Sequence, residues 1–238
     1  NSRYIFDDFQ TQAVTLDLAE GGTYIFNMDD ASNASHPFSI GTAANGTVYT
    51  SGITYFLDGV SKTYSEYTLG FAAATTRRLH ITVPASAPVL YYWCSVHSGM
   101  GGQINTNTTL GSSNFDGSIQ TTVKASQSSG FSIVLYEGQG NSDITLGHGL
   151  NAVPNVVLVK ERTGTRAWIM YHSSLGANKY LQLATTQVAL TNNDLFGNTT
   201  PTSSVFTVSD AGTSDSGDDY VAYCFSEVAG YSKFGKYT

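Results

Sequence analysis

Tyr91-Tyr92-Trp93-Cys94-Ser95-Val96-His97-Ser98-Gly99-Met100-Gly101-Gly102 decides the reading of this chain. It starts as an aromatic, apolar strand and ends in a glycine-rich turn, where glycine permits the backbone angles of a tight return. A thiolate, an imidazole three residues on and a thioether three beyond that can all point inward from such a loop. Soft thiolate and imidazole in a trigonal set, with a weak axial thioether, suit copper cycling between its two oxidation states. A third strong ligand must come from elsewhere in the chain. His36, in Asn33-Ala34-Ser35-His36-Pro37-Phe38-Ser39-Ile40, follows the strand Tyr24 to Met28 after a polar turn and is the best placed. The expected metal ligands are therefore His36, Cys94, His97 and Met100. Singly, each has a plainer reading: a buried strand cysteine, a turn histidine, a core methionine. Their occurrence together, with a distant His-Pro-Phe, carries the metal reading.

Outward from this loop, short runs of alternating polarity recur between clusters of Gly, Asn, Asp and Ser. They include Val14 to Leu18, Thr23 to Phe26, Leu79 to Val83, Val89 to Trp93, Phe131 to Tyr136, Asn155 to Lys160, Tyr180 to Leu183, Ser204 to Val208 and Tyr220 to Phe225. β-Branched and aromatic residues at this spacing read as an all-β chain. The one weak helical candidate is Tyr67 to Thr75, where Ala72-Ala73-Ala74 reads equally well as loop.

The 238 residues suit two domains of roughly 100 residues each. The expected organisation is a first domain over 1–106, a linker over 107–126 and a second domain over 127–238. The linker is inferred from polar, turn-rich stretches such as Gly111-Ser112-Ser113 and Ser126 to Gly130, although Ile119 to Val123 also reads as a short strand. Gly130-Phe131-Ser132 near the start of the second half is echoed by Gly230-Tyr231-Ser232 at its end, a faint sign of repetition. The chain opens on Asn1 rather than Met, which reads as a trimmed start or a piece of something longer.

Composition sets limits on function. Apolar residues make up 41% of the chain, and 15 Tyr, 12 Phe and 2 Trp provide large core side chains. Charged residues are only 12%, about half the usual share, and polarity comes instead from Thr, Ser, Asn and Gly, as in many extracellular β-proteins. A net charge of −7 argues against binding nucleic acid through its phosphates. No run approaches the ~18 apolar residues of a membrane helix. Two cysteines, Cys94 and Cys224, are too few for a disulfide framework, and Cys224 reads as a small apolar strand residue.

The remaining titratable residues offer little chemistry. His80 alternates with Leu79 and Ile81 and is expected on a solvent-facing side; His148 sits in the turn Gly147-His148-Gly149; His172 is expected at a strand surface or in half-buried packing. Asp210, Asp215, Asp218 and Asp219 crowd a Gly/Ser-rich segment. Calcium is conceivable there, but no EF-hand spacing is present and a solvated hairpin tip is the simpler reading. No Ser, His and Asp set stands in a nucleophile-elbow context, so no catalytic residue and no enzymatic activity are expected.

The segment from Val14 to Ile104 resembles a cupredoxin, the blue-copper fold. Cys94, His97 and Met100 match the shortest form of that family's ligand loop, His36-Pro37-Phe38 its first-ligand segment, and Gly21 to Asn27 its opening strand. The resemblance implies a Greek-key β-barrel or sandwich with copper as cofactor. This chain departs from the many members that carry a proline beside the loop histidine: Ser95-Val96 precede His97 and Ser98-Gly99 follow it.

The second half resembles a β-rich domain of structural proteins from marine bacteriophages. The matching stretches are Gly147 to Leu150 with Pro154 to Lys160, Trp168 to Leu175, Pro201 to Phe206, and Tyr220 to Phe225 running into Gly230 to Gly235. It implies a second β-sandwich in a fibre, spike or decoration-type virion appendage, extracellular in location and serving assembly and host-surface attachment. Its expected partners are other virion proteins, further copies of itself and a host glycan or receptor. The competing expectation is a secreted type 1 copper electron carrier.

Overall fold

The computed structural model describes residues 3–7, 9, 11–106, 111–140, 143–183, 185–209 and 212–236, and their regular secondary structure is almost wholly β-strand. The chain divides into two compact units, Asn1–Ser112 and Ser113–Thr238.

The first unit contains β1 (Leu16–Asp17), β2 (Thr23–Asn27), β3 (Phe38–Gly41), β4 (Ile53–Leu57) and β5 (Val60–Lys62). One helix, α1 (Tyr64–Gly70), precedes β6 (Arg77–Thr82), β7 (Leu90–Cys94) and β8 (Gly101–Asn105). The strands form two four-stranded sheets, ordered β1-β8-β7-β3 and β2-β6-β4-β5. Every pairing in them is antiparallel except β1 with β8. The sheets stay separate, so the alternative of a closed barrel gives way to an open two-sheet arrangement. Phe26 of β2 stacks on Phe38 of β3 at 4.7 Å, and Phe38 stacks on Tyr92 of β7 at 5.6 Å. These rings tie one sheet to the other by apolar burial.

The helix lies earlier than its apolar spacing suggests, at Tyr64–Gly70 rather than Tyr67 to Thr75. A capping box decides this. The Thr63 hydroxyl accepts the Glu66 N–H at 3.3 Å, and the Glu66 carboxylate accepts the Thr63 N–H at 2.8 Å. Two otherwise unpaired donors at the helix start are thereby satisfied. The alanine run Ala72 to Ala74 lies beyond the helix.

The second unit is built on β9 (Ser112–Asn114), which begins at the boundary, β10 (Thr121–Ser126), β11 (Phe131–Glu137), β12 (Ile144–Gly147) and β13 (Val156–Glu161). It continues with β14 (Ile169–His172), β15 (Lys179–Gln182), β16 (Leu190–Thr191), β17 (Val205–Val208) and β18 (Asp219–Phe225). An eight-stranded sheet has the order β16-β15-β14-β13-β18-β11-β10-β9, and β12 pairs with β17 in a two-stranded sheet. Thus the stretch expected as linker, where described, carries β9 and β10 and joins the large sheet. One core unites the two sheets: Val134, Val157, Tyr220 and Cys224 from the larger pack with Leu146 and Phe206 from the smaller. Burial pushes the Cys224 thiol up to about 12, as expected of an inert core sulfur. Both cysteines are free.

Several local expectations change. Phe131 opens a strand, and Tyr231 lies in a turn closed by a Val228–Ser232 bridge. Asp210 lies outside the described residues. Asp215 is occupied by Arg166 at 3.0 Å and by the Tyr220 hydroxyl at 3.0 Å, while Asp218 accepts from the Thr163 hydroxyl at 3.0 Å. His80 is half-buried with its ring 4.6 Å from that of Phe56. His172 keeps the half-buried one of its two expected placements, its Nδ1 accepting the Ser174 N–H at 3.1 Å.

His148 is fully buried rather than placed in an open turn. Its Nδ1 accepts the Leu150 N–H at 3.2 Å, which leaves Nε2–H to donate to the Thr202 carbonyl at 3.2 Å. That is a neutral tautomer with both nitrogens used. Burial holds its pKa below the usual histidine value, against the opposing pull of the Thr202 bond and Asp116. The unfolded chain therefore binds more protons than the folded one as pH falls through the ordinary histidine range near ~6.5. Stability should be full above that range and decline below it, by at most about 1.4 kcal/mol per pH unit for one such group. Urea denaturation at pH 7.5 and 5.5 should show the midpoint falling with pH, and His148→Gln should flatten that dependence.

Candidate metal centre

Two turns and one strand end bring the ligands together. Asp30 caps a short 3-10 turn, Ala31–Asn33, by accepting the Ser32 N–H, and the His36 N–H then bonds the Asn33 carbonyl at 2.8 Å. Pro37 follows, and Phe38 enters β3 directly opposite Cys94, the last residue of β7. Ser95 N–H donates to the Pro37 carbonyl at 3.0 Å, fastening the His36 segment to the ligand loop. On the other side, Cys94 N–H donates to the Met100 carbonyl at 3.0 Å. Opposed residues of an antiparallel pair share a face, so Met100 is placed on the Cys94 side of the sheet.

Glycine is required in this return for two reasons. Gly99 has φ +74°, a left-handed backbone. A Cβ on Gly101 would stand 2.0 Å from the Tyr92 carbonyl oxygen, so only glycine lets β8 approach β7 there.

The donor atoms converge. Cys94 Sγ lies 3.7 Å from His36 Nδ1 and 3.5 Å from His97 Nδ1. The two imidazole rings are 4.5 Å apart between centres, and the three donor atoms all lie within 4.8 Å of one another. A zinc-like ion bonding a thiolate at about 2.3 Å and an imidazole nitrogen at about 2.0 Å, with an angle of about 110–120° between them, sets S and N about 3.5–3.7 Å apart. The observed separations meet that requirement, and these three side chains could hold a metal ion. Cys94 is buried, His36 half-buried and His97 exposed. Burial, and then the charge of His97, hold the His36 imidazole below the usual histidine range, which favours the neutral form that ligates.

Of the four expected ligands, the structure thus converges the donor atoms of His36, Cys94 and His97, and places Met100 buried as the cross-strand neighbour of Cys94. Among the described residues, no other group of three or more His, Cys, Asp or Glu side chains meets in this way. One neighbour was not legible in sequence. Tyr4, ahead of the first strand, is buried and donates its hydroxyl proton to the His36 carbonyl at 2.8 Å. It belongs to no motif, and only the packed structure reveals its place.

The second unit defines the relationship of the chain to known proteins. Residues 105–238 match DUF7483, a domain of unknown function, over more than half the chain, and the chain belongs to that family. No curated protein and no solved structure matches it. The family match begins just after Met100, so the convergent ligands lie outside it.

Metal binding by this triad has a direct test. Titrating copper(II) into the full chain should produce a thiolate-to-metal charge-transfer band that is absent in Cys94→Ser and weakened in His36→Ala. If the metal binds the folded state alone, a free concentration of 100 times Kd should add about 2.7 kcal/mol of stability. An unchanged melting temperature and no band would overturn the assignment.

Proposed function

We propose that this chain is a structural protein of a bacteriophage virion, a fibre, spike or decoration-type appendage, assembled through its second unit and carrying copper in a cupredoxin-like first unit. The observation that carries the assembly role is the outer face of the eight-stranded sheet. Strand register sets Ile133, Tyr223, Leu158, Met170 and Leu181 side by side in one row across β11, β18, β13, β14 and β15. Their in-sequence neighbours Val134, Ala222, Cys224, Val157, Val159, Ile169 and Tyr171 face the core, so this row faces away from it. Phe131 and Phe225 pair on the same outer face, and Phe234 lies 5.9 Å from Phe225 at its edge. A one-sided core needs alternation of apolar and polar residues along each strand; here an apolar row crosses the outer face as well, with Lys124 and Lys160 beside it.

Such a face is stable when another surface covers it, and a second copy of the chain presents a matching one. The low charge and the abundance of Tyr, Thr and Ser elsewhere support contact with a host glycan through neutral hydrogen-bonding groups. Copper is the metal of choice because the donors are one soft thiolate and two imidazoles, with Met100 adjacent.

A second reading, a secreted type 1 copper electron carrier, draws support from the site itself. His97 is exposed, and Val96 beside it is 62% exposed, giving an apolar edge at which an electron acceptor can meet a ligand. The readings separate in solution. Analytical ultracentrifugation should find the full chain as an oligomer, unchanged by Cys94→Ser and shifted toward monomer by the pair Ile133→Glu and Leu158→Glu. A monomeric chain with reversible copper reduction and fast electron exchange would favour the carrier instead.

A further inference from the structure

The inner face of the large sheet changes character at its β15–β16 end. Ile169 of β14 is buried in the core, and its cross-strand partner on β15 is Gln182. Opposed residues share a face, as do residues two apart along a strand, so Gln182 and Tyr180 point the same way as Ile169. Tyr180 is paired in turn with Leu190 of β16, and the Asn192 N–H carries the pairing on to the Asn178 carbonyl at 3.0 Å. A core-facing side calls for apolar residues. Here it ends in a phenol and two carboxamides, all half-buried.

Tyr180, Gln182 and Asn192 line one half-open cleft of about 240 Å³ together with Arg166, and Ile169 and Leu195 form its apolar side. Two carboxylates hold the guanidinium. Arg166 Nε lies 3.0 Å from Asp215 Oδ2 and 3.5 Å from Glu161 Oε2, and the Tyr220 hydroxyl donates to the same Asp215 oxygen at 3.0 Å. Both ion pairs run through Nε, which leaves the two terminal nitrogens unused. Asn192 Oδ1 accepts the Asp194 N–H at 2.9 Å, which fixes that carboxamide. Among the described residues, nothing hydrogen-bonds to the Tyr180 hydroxyl, the Gln182 carboxamide or Asn192 Nδ2. Convergent polar groups with unused capacity in a concave, partly apolar site are the mark of a ligand site.

The chemistry of the set selects the ligand. Guanidinium and amide nitrogens donate, amide oxygens accept, and a phenol does both. Two carboxylates already face the one guanidinium, so an anion finds no surplus positive charge. A cation meets that same guanidinium. An apolar ligand leaves the carboxamides desolvated and unpaired. A neutral ligand dense in hydroxyls, each both donor and acceptor, satisfies every group. The volume lies below the roughly 300–1,000 Å³ of drug-sized sites, so it suits one ring rather than a chain.

We infer that this cleft binds a single neutral sugar residue of a glycan, with Arg166, Tyr180, Gln182 and Asn192 as its hydrogen-bonding residues. The inference rests on the host-attachment reading above and gives that attachment a place. Leu181, at the end of the apolar outer row, points the opposite way from its neighbours Tyr180 and Gln182. Covering the outer row with a second copy therefore leaves the cleft open.

The test uses the full chain on an array of neutral and acidic glycans, with free glucose, galactose and N-acetylglucosamine as soluble probes followed by saturation-transfer NMR. Wild type should bind at least one of the three with Kd on the order of 1 mM. Gln182→Leu and Tyr180→Phe keep the bulk of each side chain and remove its polar group. Each should weaken that binding about tenfold with the melting temperature unchanged. Where either variant also melts lower, Asn192→Ala at the sheet edge decides, with the same loss expected. Array binding that survives all three substitutions overturns the cleft while attachment to glycans stands. Binding confined to acidic glycans overturns the neutral-sugar assignment. A wild-type chain that binds no glycan and no probe overturns both the cleft and the attachment reading.

Discussion

The register of β3 against β7 and β8 is the constraint on which the candidate site depends. Cys94 closes β7 opposite Phe38, its N–H bonds the Met100 carbonyl, and Ser95 bonds the Pro37 carbonyl. These backbone bonds bring the donor atoms of His36, Cys94 and His97 around one point and set Met100 across from Cys94. A slip of one residue would turn Cys94 to the opposite face of the sheet and take the thiolate away from both imidazoles. Register in turn is fixed by aromatic packing. Phe26, Phe38 and Tyr92 stack between the sheets, and each would be exposed by such a slip.

The second unit obeys a different rule. Its inner face is a conventional core built on Val134, Val157, Tyr171 and Tyr220, closed by the small β12–β17 sheet. Its outer face carries an apolar row, Ile133, Tyr223, Leu158, Met170 and Leu181, with Lys124 and Lys160 beside it. Membership in DUF7483 belongs to this unit, and the convergent ligands belong to the other. On this division the candidate metal centre and the proposed assembly surface lie in different units of one chain, and substitutions in one unit are expected to leave the other's property intact.

Much of this was legible in the order of residues because strands have a period of two. Phe131–Glu137 and Asp219–Phe225 coincide with runs read from alternation and β-branched content alone. Short, polar or glycine-rich strands gave no such signal. β8 starts Gly101-Gly102-Gln103 and β9 is Ser112-Ser113-Asn114, so their strand state comes from the partners they pair with. The helix was misplaced because its start is set by Thr63 and Glu66, a capping pair, rather than by apolar spacing. His148 read as a turn residue among glycines, yet the fold buries it and uses both its nitrogens.

By itself, the sequence determined the all-β character and nominated His36, Cys94, His97 and Met100, because side-chain chemistry and two-residue periodicity are local properties. The tertiary structure alone decided that three donor atoms meet within 4.8 Å, that Tyr4 bonds the His36 carbonyl, and that an apolar row crosses the outer face of the large sheet. Each of those facts depends on residues far apart in the chain becoming neighbours. Neighbourhood of that kind is set by strand pairing and packing, which no local stretch encodes.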